Sequence, residues 1–273
     1  LDQLNTYLKP HGLIFPIDIS SSSRATLGGM VATDASGKGS LIYGKTSDHI
    51  EKLDLVLADG SDFRAEQLSA KELENGKTAG TNFFRPVYQQ LDKLQDEIGQ
   101  VFPKTSRGLS GYNLKQAISS PGQFRPGFLL AGSEGTLAIS KKITLRVQPM
   151  PTHKMLSVIF YDDFTAALDH VQTLLECQPA AIEMLDDKIL KLARNDSVWF
   201  DVQSILHDLP KDRDIKALHF IEHMAFNEEA LLSYQHKLQD MLKNSATAFH
   251  VVLSKTETNP DTISALWNLR KRA

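Results

Sequence analysis

The sequence predicts an α+β protein in two parts, and three observations carry that prediction. Residues 20–44 form a run rich in glycine, serine, threonine and alanine with neither a helical nor a strand period. From Met155 onward, strand and helix patterns alternate through four strands, which suggests a ferredoxin-like half-sheet with helices on one face. Between the parts stand Pro149 and Pro151, and paired prolines exclude helix and favour an extended connector. Two domains are therefore expected, residues 1–150 and 151–273.

In chain order, Asp2 to Lys9 places Leu4 and Leu8 on one face of a short helix, and His11-Gly12 turns the chain toward the glycine-rich run. Within that run, glycines allow positive φ and let another group approach the main chain without a Cβ in the way. Successive exposed N–H groups form an anion-binding concavity, and the Ser and Thr hydroxyls add donors. The stretch reads as a nucleotide-cofactor cradle. A flexible linker is the plainer alternative, but it would leave Leu27, Met30, Val31, Leu41, Ile42 and Tyr43 as exposed apolar groups.

Gly39 to Thr46 also matches the spelling of a phosphate-binding P-loop, with Lys45 and Thr46 in the ligating positions. That mechanism needs a buried strand leading in and a helix leading out. Thr33 to Lys38 is too polar for the strand, and only Ser47 to Ile50 precedes the next extended run, so the match is set aside.

Leu53 to Ala58 alternates apolar and other side chains, and Asp59-Gly60 signals the turn of a hairpin returning through Ser61 to Ala65. Ser69 to Gly80 reads as a surface loop or frayed helix. Val87, Leu91, Leu94 and Ile98 recur at helical spacing and predict a helix over Phe84 to Ile98. Tyr112 is expected as a loop or core anchor, with packing beside a cofactor as the less favoured role. A second glycine cluster, Gly132 to Thr136, leads into a strand over Lys142 to Val147.

In the second part, Met155 to Tyr161 predicts a strand, followed by a helix over Asp163 to Cys177 with Phe164, Leu168, Val171 and Leu175 on its apolar face. Further strands are expected at Pro179 to Leu185, Ala217 to Phe226 and Thr247 to Ser254. Helices are expected at Asp186 to Arg194, Glu228 to Lys243 and from Ile263 onward. His219 and His223 have the spacing of helical metal ligands, but in a strand that spacing sets them about 13 Å apart by rise alone. No metal role is assigned to them, and His49 reads as a cap or loop anchor.

Composition narrows the function classes. A formal net charge of −3 over 273 residues, with scattered basic side chains, gives no case for nucleic-acid binding. No apolar run reaches the length of a spanning helix, and the opening residues lack the character of a signal peptide. One cysteine, Cys177, cannot form an internal disulfide, which points to a reducing compartment.

Three blocks together carry a family resemblance. They are Arg24-Ala-Thr-Leu-Gly-Gly-Met30 with Thr33 to Gly37 and Tyr43 to His49, then Gly111-Tyr-Asn-Leu114, then Gly132 to Ile139. Their order and spacing resemble the vanillyl-alcohol oxidase/p-cresol methylhydroxylase superfamily, in particular the FAD-linked D-2-hydroxyacid dehydrogenases such as the large bacterial D-2-hydroxyglutarate enzymes. The resemblance implies the later part of a p-cresol methylhydroxylase-type FAD-binding domain, followed by the first part of a ferredoxin-like cap.

It also implies that FAD is gripped by Thr26, Gly28, Gly29, Ala32, Asp34, Ala35, Gly37 and Tyr43. Gly132, Ser133, Gly135, Thr136 and Ile139 would lie along its adenosine half. The family's first phosphate loop lies upstream of the segments seen here, so weak or absent FAD binding and no activity are expected of this stretch alone. The catalytic base, divalent-metal ligands and iron–sulphur cluster of the large members have no counterpart in it, so no catalytic or metal residue is assigned. The implied reaction oxidises a D-2-hydroxy acid to the 2-oxo acid with hydride transfer to flavin. D-lactate or glycolate is the alternative substrate, and a non-catalytic nucleotide-binding or interaction module is the alternative of another class. The electron acceptor is left open, and the expected location is cytoplasmic or peripheral to the inner membrane.

Overall fold

A computed structural model describes residues 1–105, 109, 111–194, 197, 199, 200, 202 and 213–272. Two compact units divide the chain, Leu1–Pro149 and Met150–Ala273.

In the first unit, α1 (Asp2–Leu8) is followed by a left-handed Gly12 and by β1 (Leu13–Ile14). The glycine-rich run folds as α2 (Leu27–Ala32) and a single helical turn, α3 (Ser40–Tyr43). Then come the hairpin β2 (Ile50–Val56) and β3 (Asp62–Ala65), the short β4 (Leu68–Ser69), and helices α4 (Ala70–Asn75), α5 (Ala79–Lys93) and α6 (Gln95–Val101). The unit closes with α7 (Leu114–Ala117), β5 (Gln123–Phe124), α8 (Gly127–Leu130), β6 (Ile139–Leu145) and β7 (Gln148–Pro149).

An antiparallel sheet ordered β3-β2-β6 carries this unit, while β1 pairs with β7 and β4 with β5. The Leu53, Leu55 and Leu57 alternation points inward onto Phe63, Leu73, Phe84, Leu91, Phe124 and Phe128. A second cluster gathers Leu8, Phe15, Ile17 and Met30. Because adjacent residues of a helix point about 100° apart, Met30 enters this second cluster while Val31 enters the first. Both are buried, so α2 is pinned on two sides and its glycines are left outward.

Two expectations change here. The stretch Ser69 to Gly80 contains a regular helix, because Ser69 accepts from the Glu72 N–H while Glu72 accepts from the Ser69 N–H, a reciprocal cap. The helix predicted from Phe84 starts five residues earlier, at Ala79 behind a Thr78 cap, and is interrupted at Leu94 (φ −98°, ψ 9°). That interruption turns Leu94 to solvent while Leu91 and Ile98 stay buried.

The second unit comprises β8 (His153–Tyr161), α9 (Phe164–Leu175), β9 (Ala181–Asp186), α10 (Asp187–Ala193), β10 (Ala217–Ala225), α11 (Glu228–Ser245), β11 (Val251–Glu257) and α12 (Pro260–Arg272). Its antiparallel sheet has the order β11-β8-β10-β9, the ferredoxin-like arrangement. Helices cover both faces rather than one: Ile159, Tyr161 and Ile221 pack under α9 and α11, and Val158, Phe160, Leu218 and Phe220 pack under α10 and α12. The central strands β8 and β10 are therefore buried on both sides.

The face of α9 also differs from the prediction. Ala167, His170 and Leu174 point inward, whereas Phe164, Leu168 and Leu175 are exposed. His170 is drawn in by Tyr161, whose hydroxyl lies 2.9 Å from its Nδ1 and 3.0 Å from Nδ1 of His219. His170 Nε2 reaches Ser245 Oγ at 3.2 Å. His223 lies farther along β10, its Nε2 donating to the Cys177 carbonyl at 3.0 Å. Burial lowers the pKa of His170 and His219 to about 4 and raises that of the Tyr161 hydroxyl.

Candidate functional site

The site is built on α2. Thr26 caps it, its Oγ1 accepting from the Gly29 N–H at 3.1 Å, so this hydroxyl is committed as an acceptor and keeps its proton to donate. The N–H groups of Leu27 and Gly28 belong to the first turn, where no intrahelical acceptor exists. A Cβ at Gly28 would meet nothing within 4 Å, so the side of the helix start that this glycine faces is open.

Past the helix, Asp34 turns the chain in the left-handed region (φ 47°). Its Oδ1 accepts from the Ser47 N–H at 2.8 Å and its Oδ2 from Lys45 Nζ at 2.5 Å. The neighbouring Ala35 carbonyl accepts from both the N–H and the hydroxyl of Thr46, at 3.0 and 2.7 Å. The turn Lys45–Ser47 is thus stitched to Asp34–Ala35 by four hydrogen bonds.

The second glycine cluster, about a hundred residues on, docks against the same place. Gly132 N–H donates to the Val31 carbonyl and Glu134 N–H to the Ala32 carbonyl, each at 2.9 Å. Gly132 (φ 77°) comes so close to Asp34 that an added Cβ would lie 3.3 Å from the Asp34 Cβ. Thr136 closes its own loop, donating from Oγ1 to the Ser133 carbonyl at 2.6 Å, and Tyr112 Oη sits 2.8 Å from that same Oγ1. Tyr112 is therefore a loop anchor. Gly135 (φ 78°) is open, with nothing within 4 Å of an added Cβ.

Thr26, Gly28, Gly29, Ala32, Asp34 and Ala35 are thereby brought together with Gly132, Ser133, Gly135 and Thr136. Three residues stand differently. Gly37 is held by protein packing, since its Cβ would fall 1.8 Å from the Asp18 carbonyl oxygen, where Asp18 pairs with Lys38. Tyr43 lies over Gly39, and its carbonyl accepts from His49 Nε2 at 2.8 Å, so His49 anchors a loop. Ile139 opens β6 opposite Val56 and is exposed.

The P-loop spelling at Gly39 to Thr46 folds as a helical turn between left-handed Gly39 and Gly44, with Lys45 paired to Asp34. Sequence reasoning missed the clasp of Lys45, Thr46 and Ser47 on Asp34 and Ala35, and no short-range pattern announces it. A cavity of about 470 Å³ opens beside Lys45, lined also by Ser40, Gly44, Asn113, Lys115 and Phe128.

This geometry fits a dinucleotide cofactor: two glycine-rich loops fastened edge to edge, open at Gly28 and Gly135, with the Leu27 and Gly28 N–H groups and the Thr26 hydroxyl as donors on the first loop and no unpaired carboxylate from Asp34. Among the described residues no cluster of His, Cys, Asp or Glu is arranged to hold a metal ion. No described helix is long and apolar enough to cross a membrane.

Comparison with known proteins adds two family matches: residues 1–66 match the FAD binding domain model, and residues 150–273 match the C-terminal domain of FAD linked oxidases. A D-2-hydroxyglutarate dehydrogenase of Escherichia coli (strain K12) is 39% identical over 235 residues, covering 85% of this chain and 23% of that protein. Another, from Haemophilus influenzae, is 34% identical over 284 residues, covering 100% of this chain and 27% of the relative. The chain thus spans about a quarter of the length of these curated relatives. Relatives named D-lactate dehydrogenase match less of the chain at lower identity. Among solved structures, an alkyldihydroxyacetonephosphate synthase shares the fold with a TM-score of 0.62 at 17% identity, over 99% of this chain and 40% of that one.

Proposed function

The chain belongs to the FAD-linked oxidases, and on that premise we propose that its first unit forms part of the FAD site of an enzyme that oxidises a D-2-hydroxy acid, 2-hydroxyglutarate-like, to the 2-oxo acid. The observation that carries this reading is the docking of Gly132 and Glu134 on the carbonyls of Val31 and Ala32, which makes one cradle of two distant loops. FAD, when bound, supplies the oxidising chemistry. The chain's own part is to hold and orient it. Leu27 and Gly28 offer N–H donors, Thr26 offers its hydroxyl proton, and the Gly135 loop leaves room for close approach.

Asp34 and Gly37 shape the cradle, one through its clasp and the other through contact with Asp18. The second unit corresponds to the substrate-side cap. Support for 2-hydroxyglutarate over lactate comes from the identity and coverage of the relatives so named.

A direct test is titration with FAD, followed by quenching of flavin fluorescence, of this chain and of a longer polypeptide that supplies the upstream loop. Dye reduction is then assayed in a longer polypeptide that includes this chain. Saturable quenching, lost in Gly28→Val, together with faster dye reduction by D-2-hydroxyglutarate than by D-lactate, is the expected result. Quenching without 2-hydroxyacid oxidation would leave a nucleotide-binding module, and a D-lactate preference would move the substrate assignment.

A further inference from the structure

We propose that Asp34 serves the flavin site as a positioning residue, its carboxylate spent on Lys45 and Ser47 to lock the two glycine loops in register rather than on the cofactor. The inference rests on the cofactor reading above and deepens it. Asp34 is the point where three pieces meet: the end of α2, the turn at Lys45–Ser47, and Gly132 of the second loop. Asp, like Asn, tolerates the left-handed backbone that this meeting requires, which most other residues with a Cβ adopt at a cost.

The Asp34–Lys45 pair is well enclosed, with side-chain exposures of 11% and 16%, so salt screens it less than a surface pair. Each carboxylate oxygen already accepts a hydrogen bond at 2.5–2.8 Å. Lys45 has its ammonium group engaged in the same contact, which removes it as the phosphate ligand that its P-loop spelling suggests.

The test is a double-mutant cycle on FAD affinity with Asp34→Asn, Lys45→Met and the pair combined. Asn keeps the left-handed backbone and an acceptor for the Ser47 N–H, so Asp34→Asn removes chiefly the ion pair. Both single variants should weaken FAD binding about tenfold, and the double should weaken it by about the same factor rather than a hundredfold, because both break one interaction. Lys45→Arg should restore affinity, with the bound-flavin spectrum unchanged.

Weakening by Asp34→Asn alone, with Lys45→Met neutral, would put the carboxylate on the cofactor and overturn the proposal. So would lowered thermal stability with unaltered FAD affinity, which is a purely structural role. Should the unaltered chain take up no flavin, the same cycle is read in a longer polypeptide that supplies the upstream phosphate loop, and failure of that polypeptide to bind flavin counts against the cofactor reading. Amide exchange then decides the clasp, expected to quicken equally in both single variants at 28–35 and 132–136, and unchanged exchange there refutes it.

Discussion

Gly28 and Gly37 belong to the same glycine-rich run, yet their surroundings assign them opposite reasons to be glycine. Gly28 faces open space, so Gly28→Ala meets no protein atom and gains helix propensity of roughly 0.5–1 kcal/mol. Its melting temperature should hold or rise while FAD affinity falls, since in the proposed cradle the added methyl group meets no protein atom and would intrude only on the cofactor. Gly37→Ala drives a Cβ into the Asp18 carbonyl oxygen, a backbone atom that cannot swing aside. It should cost about 1–3 kcal/mol of stability before any cofactor is added. Melting curves and FAD titrations of the two variants separate a glycine kept for the cofactor from one kept for the fold.

At the scale of the element, α9 is the informative case. Its sequence carries two apolar stripes, and the one that is continuous, Phe164, Leu168, Val171 and Leu175, largely faces outward. The buried stripe is Ala167, His170 and Leu174, because Tyr161 on β8 offers His170 a hydrogen bond that water would otherwise supply. Leu174→Ala is expected to cost about 2–5 kcal/mol, whereas Leu168→Gln should stay within about 0.5 kcal/mol. Urea unfolding midpoints of the two variants check which stripe is core.

For the molecule as a whole, the acid limb of stability follows from the second unit. His170 and His219 are both held neutral, at about 4 in the fold against 6.5 as the ordinary value, burial being the chief cause and their mutual repulsion a lesser one for His219. Between those values the unfolded chain binds more protons than the folded one, so stability present above pH 6.5 is lost as pH falls toward 4. The loss is on the order of 3 kcal/mol for each ring. Denaturation at pH 7 and pH 4.5 should show it, and His170→Gln should flatten the slope; a slope unchanged in that variant would assign the acid limb to other groups.

Sequence alone determined several local elements and pointed to the kind of site proposed. Alternating Leu53, Leu55 and Leu57 with Asp59-Gly60 specify a hairpin, the Asp162-Asp163 pair and Asp186 mark helix starts, and glycine and hydroxyl residues point to the proposed backbone-lined cradle, because each of these is a short-range property of the chain. The three separate blocks were enough to indicate the family. Only tertiary structure decided that Gly132 and Glu134 dock on Val31 and Ala32, that Asp34 answers to Lys45 and Ser47, that Gly37 answers to Asp18, and that α9 turns His170 inward. Each of those depends on a partner distant in sequence or on which face a neighbouring element leaves open. Periodicity within a segment cannot specify a partner outside it, and burial is settled by whichever packing satisfies both apolar area and hydrogen bonds.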